Sequence, residues 1–282
     1  MTIKEIIIKY CRELENISDT PRLDVELLLK RALGDVDSMY IRMYLDKELS
    51  EDQEKYFLEM MKDRLNQRPI AYILGNREFM GLDFFVKEGV LIPRPDTETL
   101  VEEIINICNN KTGLNILDIG TGSGAITVSL AKYLDKSHIV SVDISDIALE
   151  IASKNAVSNK VDERIDFIKS DVFSNVSREN KFDIIVSNPP YIKREVIKKL
   201  NKDVQKEPII ALDGGYDGLD FYRKIINESE KYLKFNGYLC FEIGYDQKED
   251  VIGIIKNKER YINTYSKKDL YGNDRIIITQ VL

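Results

Sequence analysis

Apolar positions in the first 65 residues recur at helical spacing. The segments "IKEIIIKYCREL", "PRLDVELLLKRAL", "DVDSMYIRMYL" and "EDQEKYFLEMMKDRL" each place hydrophobic side chains on one face, and Asp, Ser and Pro punctuate the gaps. This predicts a small helical bundle over residues 1–75, whose role, packing or partner binding, the pattern leaves open. Residues 76–96 change texture. In "REFMGLDFFVKEGVLIPRPDTETL", aromatic and β-branched runs surround Gly81 and Gly89, which predicts a short β-hairpin linking two domains. From about residue 97 to 282, short apolar runs alternate with helical stretches such as "AITVSLAKYL" and "SDIALEIASKNAV". The runs are "NILDIG" (115–120), "HIVSVDI" (138–144), "RIDFIKSD" (164–171), "FDIIVSN" (182–188) and "GYLCFEIG" (237–244). Such alternation predicts an α/β domain with a parallel sheet covered on both faces. In such sheets ligands bind beyond the carboxyl ends of the strands, which directs attention to the strand-to-helix turns.

Composition narrows the classes. With 43% hydrophobic residues in 282, the chain can bury one good core and a second, smaller one. No apolar run reaches membrane-spanning length, and the N-terminus mixes acids and bases through its apolar positions, so a cytoplasmic protein without membrane contact is expected. Cys11, Cys108 and Cys240 lie far apart and His138 is the only histidine, which argues against structural zinc, any other metal site and a disulfide framework. The net charge is −7, divided as −3 in the first 80 residues and −4 in the rest, so neither part is a basic module. The basic run "IKREVIKKLNK" at 192–202 reads as a solvated helix face.

The first turn, "DIGTGSGA", holds Asp118, Gly120, Gly122 and Gly124 at alternate positions. Glycines there allow a tight turn and close backbone approach to a ligand, and the next helix offers free N–H groups. Gly120, Gly122 and Ala125 also satisfy the loose dinucleotide pattern, so a nicotinamide-dependent dehydrogenase is one alternative. Asp118 weighs against it, because its charge would repel a pyrophosphate, whereas it suits a ligand carrying an amino group. Asp143, ending the second strand, can accept hydrogen bonds from a ribose diol, although a plain capping role is also open. Asp171, ending the third, can accept from an adenine amino group. Acids at three successive strand ends, with no Lys or Arg in the glycine turn, favour a cationic nucleoside over a phosphorylated one. S-adenosylmethionine, leaving S-adenosylhomocysteine as product, fits that description.

The stretches "DIGTGSGA", "VD" at 142–143, "SD" at 170–171 and "NPPY" at 188–191 together resemble amino-group methyltransferases that use S-adenosylmethionine. "RPIAYILGNREFMGL" (68–82), "LIPRPDTETLVE" (91–102), "EPIIALDGGYDGLDFYRKI" (207–225) and "FEIG" (241–244) narrow the resemblance to the PrmC/HemK family. That family methylates the side-chain amide of the glutamine in the Gly-Gly-Gln loop of class 1 peptide chain release factors. The resemblance covers nearly the whole chain and is weakest at 1–65 and 245–282. It implies a Rossmann-like, seven-stranded methyltransferase domain over 97–282 and a release-factor-binding role for residues 1–75. It implies a cofactor set of Asp118, Gly120, Thr121, Gly122, Gly124, Asp143, Asp171, Val172 and Asn188, and a substrate set of Asn188, Pro189, Pro190 and Tyr191. A monomer that contacts class 1 release factors and no nucleic acid directly is the corresponding expectation. Arg94 to Glu98 should lie near the cofactor and the domain junction, with no chemical step assigned.

The chemistry explains the motif. An amide nitrogen is a poor nucleophile because its lone pair is delocalised into the carbonyl, the resonance behind a rotational barrier of about 18–20 kcal/mol. Two acceptors, the Asn188 side-chain oxygen and the Pro189 carbonyl, would take the two amide hydrogens and aim the lone pair at the methyl group. Each proline fixes its own φ and extends the residue before it, which stiffens the pair. Tyr191 is expected to pack over the flat amide. These three residues are the catalytic candidates. Two other readings remain: an amino-group methyltransferase for a nucleic-acid base, which predicts a basic channel, and a non-catalytic S-adenosylmethionine-binding module, which leaves "NPPY" unexplained.

Overall fold

The computed structural model describes residues 1–108 and 111–282. The chain divides into two units, one of residues 1–75 with 201–206 and one of residues 76–200 with 207–282.

The first unit is helical. Helix α1 (Ile3–Leu14) begins at Thr2, whose hydroxyl accepts from Glu5 N while the Glu5 carboxylate accepts from Thr2 N, so two orphan donors are satisfied at once. Its stripe of Ile3, Ile6, Tyr10 and Leu14 is buried. Helix α2 (Pro21–Ala32) starts on a proline, α3 (Ser38–Met43) is capped by Asp37, and α4 (Glu51–Leu65) repeats the reciprocal cap with Ser50 and Gln53. Helix α5 (Ile70–Leu74) ends on Gly75 in the left-handed region. Leu28, Leu29, Phe57 and Met61 join the α1 stripe in one apolar cluster. Arg64 and Asp24 are also buried, and they are tolerated because each is the other's partner at 2.6 Å. A second Arg64 nitrogen lies 3.9 Å from Asp203 of the inserted segment.

The second unit opens with an antiparallel hairpin, β1 (Asn76–Phe79) and β2 (Leu82–Phe85), turning at Met80 and Gly81, both at positive φ. Helix α6 (Pro95–Ile107) leads into β3 (Asn115–Ile119), α7 (Ala125–Tyr133), β4 (His138–Asp143), α8 (Asp146–Ser158) and β5 (Ile165–Lys169). Then come β6 (Phe182–Ser187), the short α9 (Arg194–Ile197), α10 (Asp220–Ser229), β7 (Leu233–Glu242), α11 (Lys248–Lys256), β8 (Tyr261–Lys268) and β9 (Asp274–Val281). Seven strands form one sheet in the order β5-β4-β3-β6-β7-β9-β8, parallel except that β9 runs against both its neighbours. The seven-stranded sheet is the one the sequence resemblance implies.

Burial on both faces explains why the central strands read as continuous apolar runs. Ile116, Ile184, Cys240 and Ile276 enter one apolar cluster, and their neighbours Leu117, Ile185, Phe241 and Ile277 enter the other. Chain order reverses between β3 and β6, which places the crevice at their carboxyl ends. No described helix is long and apolar enough to cross a membrane.

Candidate active site

A cleft opens at that reversal. It is walled by the turn after β3, the ends of β4 and β5, the segment after β6, residues 89–97 leading into α6, and Pro208 to Ala211. Of the residues singled out in the sequence, Gly120, Thr121, Gly122, Asp143, Asp171, Val172, Asn188, Pro189 and Pro190 all line it. Four separate strand ends thus bring together what the chain holds over some 70 positions.

Each wall has a local cause. Asp143 holds the glycine turn closed, accepting from Gly122 N and from Ser145 N at 2.9 Å each. The cap of α8 is Ser145, whose hydroxyl accepts from Ala148 N at 3.3 Å, so Asp143 lines the cleft and closes the turn without being the helix cap. Asp171 faces the cleft and carries an ion pair with Lys224 at 2.7 Å. The next residue, Val172, is buried at φ +54°, a conformation a β-branched side chain rarely takes and one that costs about 1–3 kcal/mol. The surroundings hold it there and turn its backbone toward the cleft. Ser187 donates to Ile119 O at 2.6 Å, tying the end of β6 to the end of β3 just before Asn188.

Asp118, Gly124 and Tyr191 are not among the residues that line this cleft. Asp118 is fully buried beneath the turn. Its Oδ2 accepts from Thr127 and, at 3.4 Å, from Ser141, while no described residue hydrogen-bonds its Oδ1. Burial raises its pKa to about 7, and the Asp143 charge adds to the rise against the two hydroxyl bonds. It holds Thr127 and Ser141 beneath the turn. Gly124 is the left-handed cap of α7, packed against Ala152. Tyr191 packs against the apolar cluster that contains Tyr222 and Phe241, and its hydroxyl donates to Glu242 at 3.3 Å. The buried Glu242 carboxylate needs donors, and the Tyr191 hydroxyl is one of them.

The stretch Arg94 to Glu98, expected near the cofactor without a chemical step, does reach the cleft, and other residues behind the wall carried no expectation. Thr97 lines the cleft; it donates to Glu242 Oε2 at 2.5 Å and accepts from Asn188 Nδ2 at 3.3 Å. Glu242 is 1% exposed. Arg94, the one Lys or Arg among the lining residues, pairs with the buried Glu207, which also accepts from Ile92 N. The segment after Pro190 is braced by "LDGGYDG". A Cβ on Gly214 would sit 2.7 Å from Tyr191 Cα, and one on Gly218 would sit 2.5 Å from Tyr191 O, so only glycine lets the two backbones meet. Gln247 Nε2 donates to both Tyr191 O and Gly218 O. The signals were visible as the stretches at 91–102, 207–225 and 241–244, to which no chemistry had been attached.

A family model described as a methyltransferase domain matches residues 110–277, and one described as the PrmC N-terminal domain matches residues 5–75. The chain is 40% identical to the release factor glutamine methyltransferase of Clostridium botulinum, covering 98% of each chain. It is 38% identical to that of Clostridium acetobutylicum, over 99% of this chain and 98% of the relative. Among solved structures, a methyltransferase from Pyrococcus furiosus superimposes with a TM-score of 0.52 at 22% identity, covering 79% of this chain and 98% of that one, a likeness of fold.

Two expectations follow from this geometry. The folded chain holds a proton on Asp118 more tightly than the unfolded chain, whose aspartates titrate near about 3.9. Asp118 therefore favours folding most below about pH 4, and that contribution is lost as pH rises through about 7. Asp118→Asn should gain stability relative to wild type between about pH 5 and pH 8 in urea denaturation, and parallel pH profiles would refute the assignment. Gly218→Ala should cost on the order of 2 kcal/mol in the same assay, from the left-handed backbone and the clash with Tyr191 O.

Proposed function

The chain belongs to the release factor glutamine methyltransferases, and we propose that it methylates the side-chain amide nitrogen of the glutamine in the Gly-Gly-Gln motif of class 1 peptide chain release factors, with S-adenosylmethionine as donor. The observation that carries this reading is the placement of Asn188 and Pro189 side by side in the cleft wall, at the carboxyl end of β6. Pro190 holds Pro189 extended, and Pro189 does the same for Asn188, which stiffens the two oxygens as a pair of acceptors.

The cleft fits the cofactor. Its wall combines apolar side chains such as Val90, Val142, Ile144 and Phe221 with the carboxylates of Asp143 and Asp171. The glycine turn carries no cation that would favour a pyrophosphate, and Arg94 is already neutralised by Glu207. Asp143 has lone pairs beyond those used by Gly122 and Ser145, enough for a ribose diol. When bound, S-adenosylmethionine supplies an electrophilic methyl group on a sulfonium sulfur. Gly120, Thr121, Gly122, Asp143, Asp171 and Val172 hold it.

The chain's part in the chemistry is orientation. Asn188 Oδ1 and the Pro189 carbonyl accept the two amide hydrogens, which keeps the lone pair on nitrogen and directs it across the cleft. The same two dipoles stabilise the positive charge that grows on nitrogen during transfer. A nitrogen bearing the new methyl is strongly acidic and loses its proton to water, so no side chain is required as base. Tyr191 serves by anchoring the segment, with its hydroxyl on Glu242 and its carbonyl on Gln247. Residues 1–75 recognise the release factor, and the enzyme works as a cytoplasmic monomer without touching nucleic acid directly.

Incubation with labelled S-adenosylmethionine and either a purified release factor or total RNA, followed by mapping of the labelled atom, tests the reading. Label on the glutamine amide nitrogen is expected; label in RNA alone would overturn it. Asn188→Ala should lower kcat about 10²–10³-fold, the scale of losing one preorganised electrostatic contact. Its dissociation constant for S-adenosylmethionine should change little in calorimetry, and near-normal turnover would remove Asn188 from the mechanism.

A further inference from the structure

Behind Asn188 lies a short hydrogen-bonded chain that ends on a buried charge. Asn188 Nδ2 approaches Thr97 Oγ1 at 3.3 Å, and Thr97 Oγ1 approaches Glu242 Oε2 at 2.5 Å. Thr97 is 5% exposed and Glu242 1%. A threonine hydroxyl has a single hydrogen. Given to a carboxylate, it leaves only lone pairs for the neighbour, and that neighbour must then present an N–H.

We propose that Glu242, acting through the Thr97 hydroxyl, is a positioning residue that sets which end of the Asn188 amide faces the cleft. With Glu242 ionised, the chain runs from the Asn188 NH₂ to Thr97 to the carboxylate, and Asn188 Oδ1 is left for the substrate. With Glu242 protonated, the polarity can reverse. The carboxyl donates to Thr97, Thr97 donates to Asn188 Oδ1, and the Asn188 NH₂ turns toward the cleft, where it opposes the hydrogens of an incoming amide. Glu242 takes up one proton from solvent, no bond to carbon changes, and the two hydrogen bonds of the relay reverse direction. The proposal rests on the methyl-transfer reading above, because only an amide or amine substrate needs an acceptor at that point.

The groups facing Glu242 come from four elements. Thr97 and Asp96 belong to α6, and Tyr191 follows β6. Arg275 of β9 is held by Asp96 at 3.2 Å and Asp269 at 3.0 Å, and the Tyr222 hydroxyl of α10 donates to Glu242's own carbonyl at 2.9 Å. Burial raises the Glu242 pKa, while the Thr97 bond, the Arg275 charge and the Tyr191 bond lower it and Asp96 raises it, leaving it at about 7. The acceptor-facing form therefore predominates above that value. It is lost as pH falls through it.

The test uses the full-length protein with S-adenosylmethionine and a release factor, and follows kcat from about pH 5.5 to about pH 9. Wild-type kcat should fall on the acid side with a midpoint near 7. Glu242→Gln, which can donate or accept, should lose about 10–100-fold in kcat, as outer orienting groups do, and its acid limb should disappear. Thr97→Val should reproduce that loss, and Thr97→Ser should recover most of it. In each variant KM for the release factor and calorimetric affinity for S-adenosylmethionine should stay within about threefold of wild type. A wild-type kcat that is flat below neutrality, an acid limb that survives in Glu242→Gln, or normal turnover by Thr97→Val overturns the proposal. The wild-type profile and the Thr97 pair decide the matter even where Glu242→Gln does not fold. Failure of the wild-type protein to methylate any glutamine would instead remove the functional reading and the relay with it.

Discussion

The site depends on the reversal of strand order between β3 and β6. The two strands are hydrogen-bonded neighbours, yet the chain leaves β3 toward β4 and leaves β6 toward β7, on opposite sides. The helices that follow diverge, and the carboxyl ends between them are left uncovered. The Ser187 hydroxyl on Ile119 O pins that gap at its narrowest point. Everything placed in the cleft, from the glycine turn to Asn188, is referenced to this one pair of strands.

Polar groups were then buried around the gap under strict conditions. Asp118 lies beneath one wall and Glu242 beneath the other, and each is neutralised or held by hydroxyls rather than by a directly bonded cation. Hydroxyls cost little to bury when paired, and each passes orientation along to a second partner. Thr127 and Ser141 share a bond on one side, and Thr97 links Asn188 to Glu242 on the other. The cleft wall is therefore ordered by networks that run from lining residues such as Asn188 and Thr97 to buried groups behind them.

Local patterns made most of this architecture readable. The helical spacing of residues 1–65 and the apolar runs at β3, β4, β5, β6 and β7 were visible because burial on one face or on both leaves a periodic trace. Strands β8 and β9 were implied by resemblance rather than by pattern; β8 lies at the sheet edge and mixes Lys267 and Lys268 with half-buried positions. Within the site, residues whose own backbone or side chain meets the cleft were found. Glu242, Gly214 and Gly218 were given no role, and Thr97 only a place near the cofactor, because their importance is set by contacts across 23 to 145 positions that no local window contains. Asp118 and Tyr191 stand next to cleft residues in the chain, and the partners of their side chains are hydroxyls for Asp118 and a buried carboxylate for Tyr191, which no local pattern reveals.

The six residues 201–206 group with the helical unit although both flanking stretches belong to the sheet unit. During synthesis the first 75 residues leave the ribosome early and can collapse around Leu28, Leu29 and Phe57. Arg64 is then paired with Asp24, while Asp203 has yet to be made. The helical unit acquires its last piece only after β6 and the residues that follow it have emerged. A nascent chain halted anywhere before residue 206 thus carries an unfinished helical unit, which is completed while the sheet unit still lacks β7, β8 and β9.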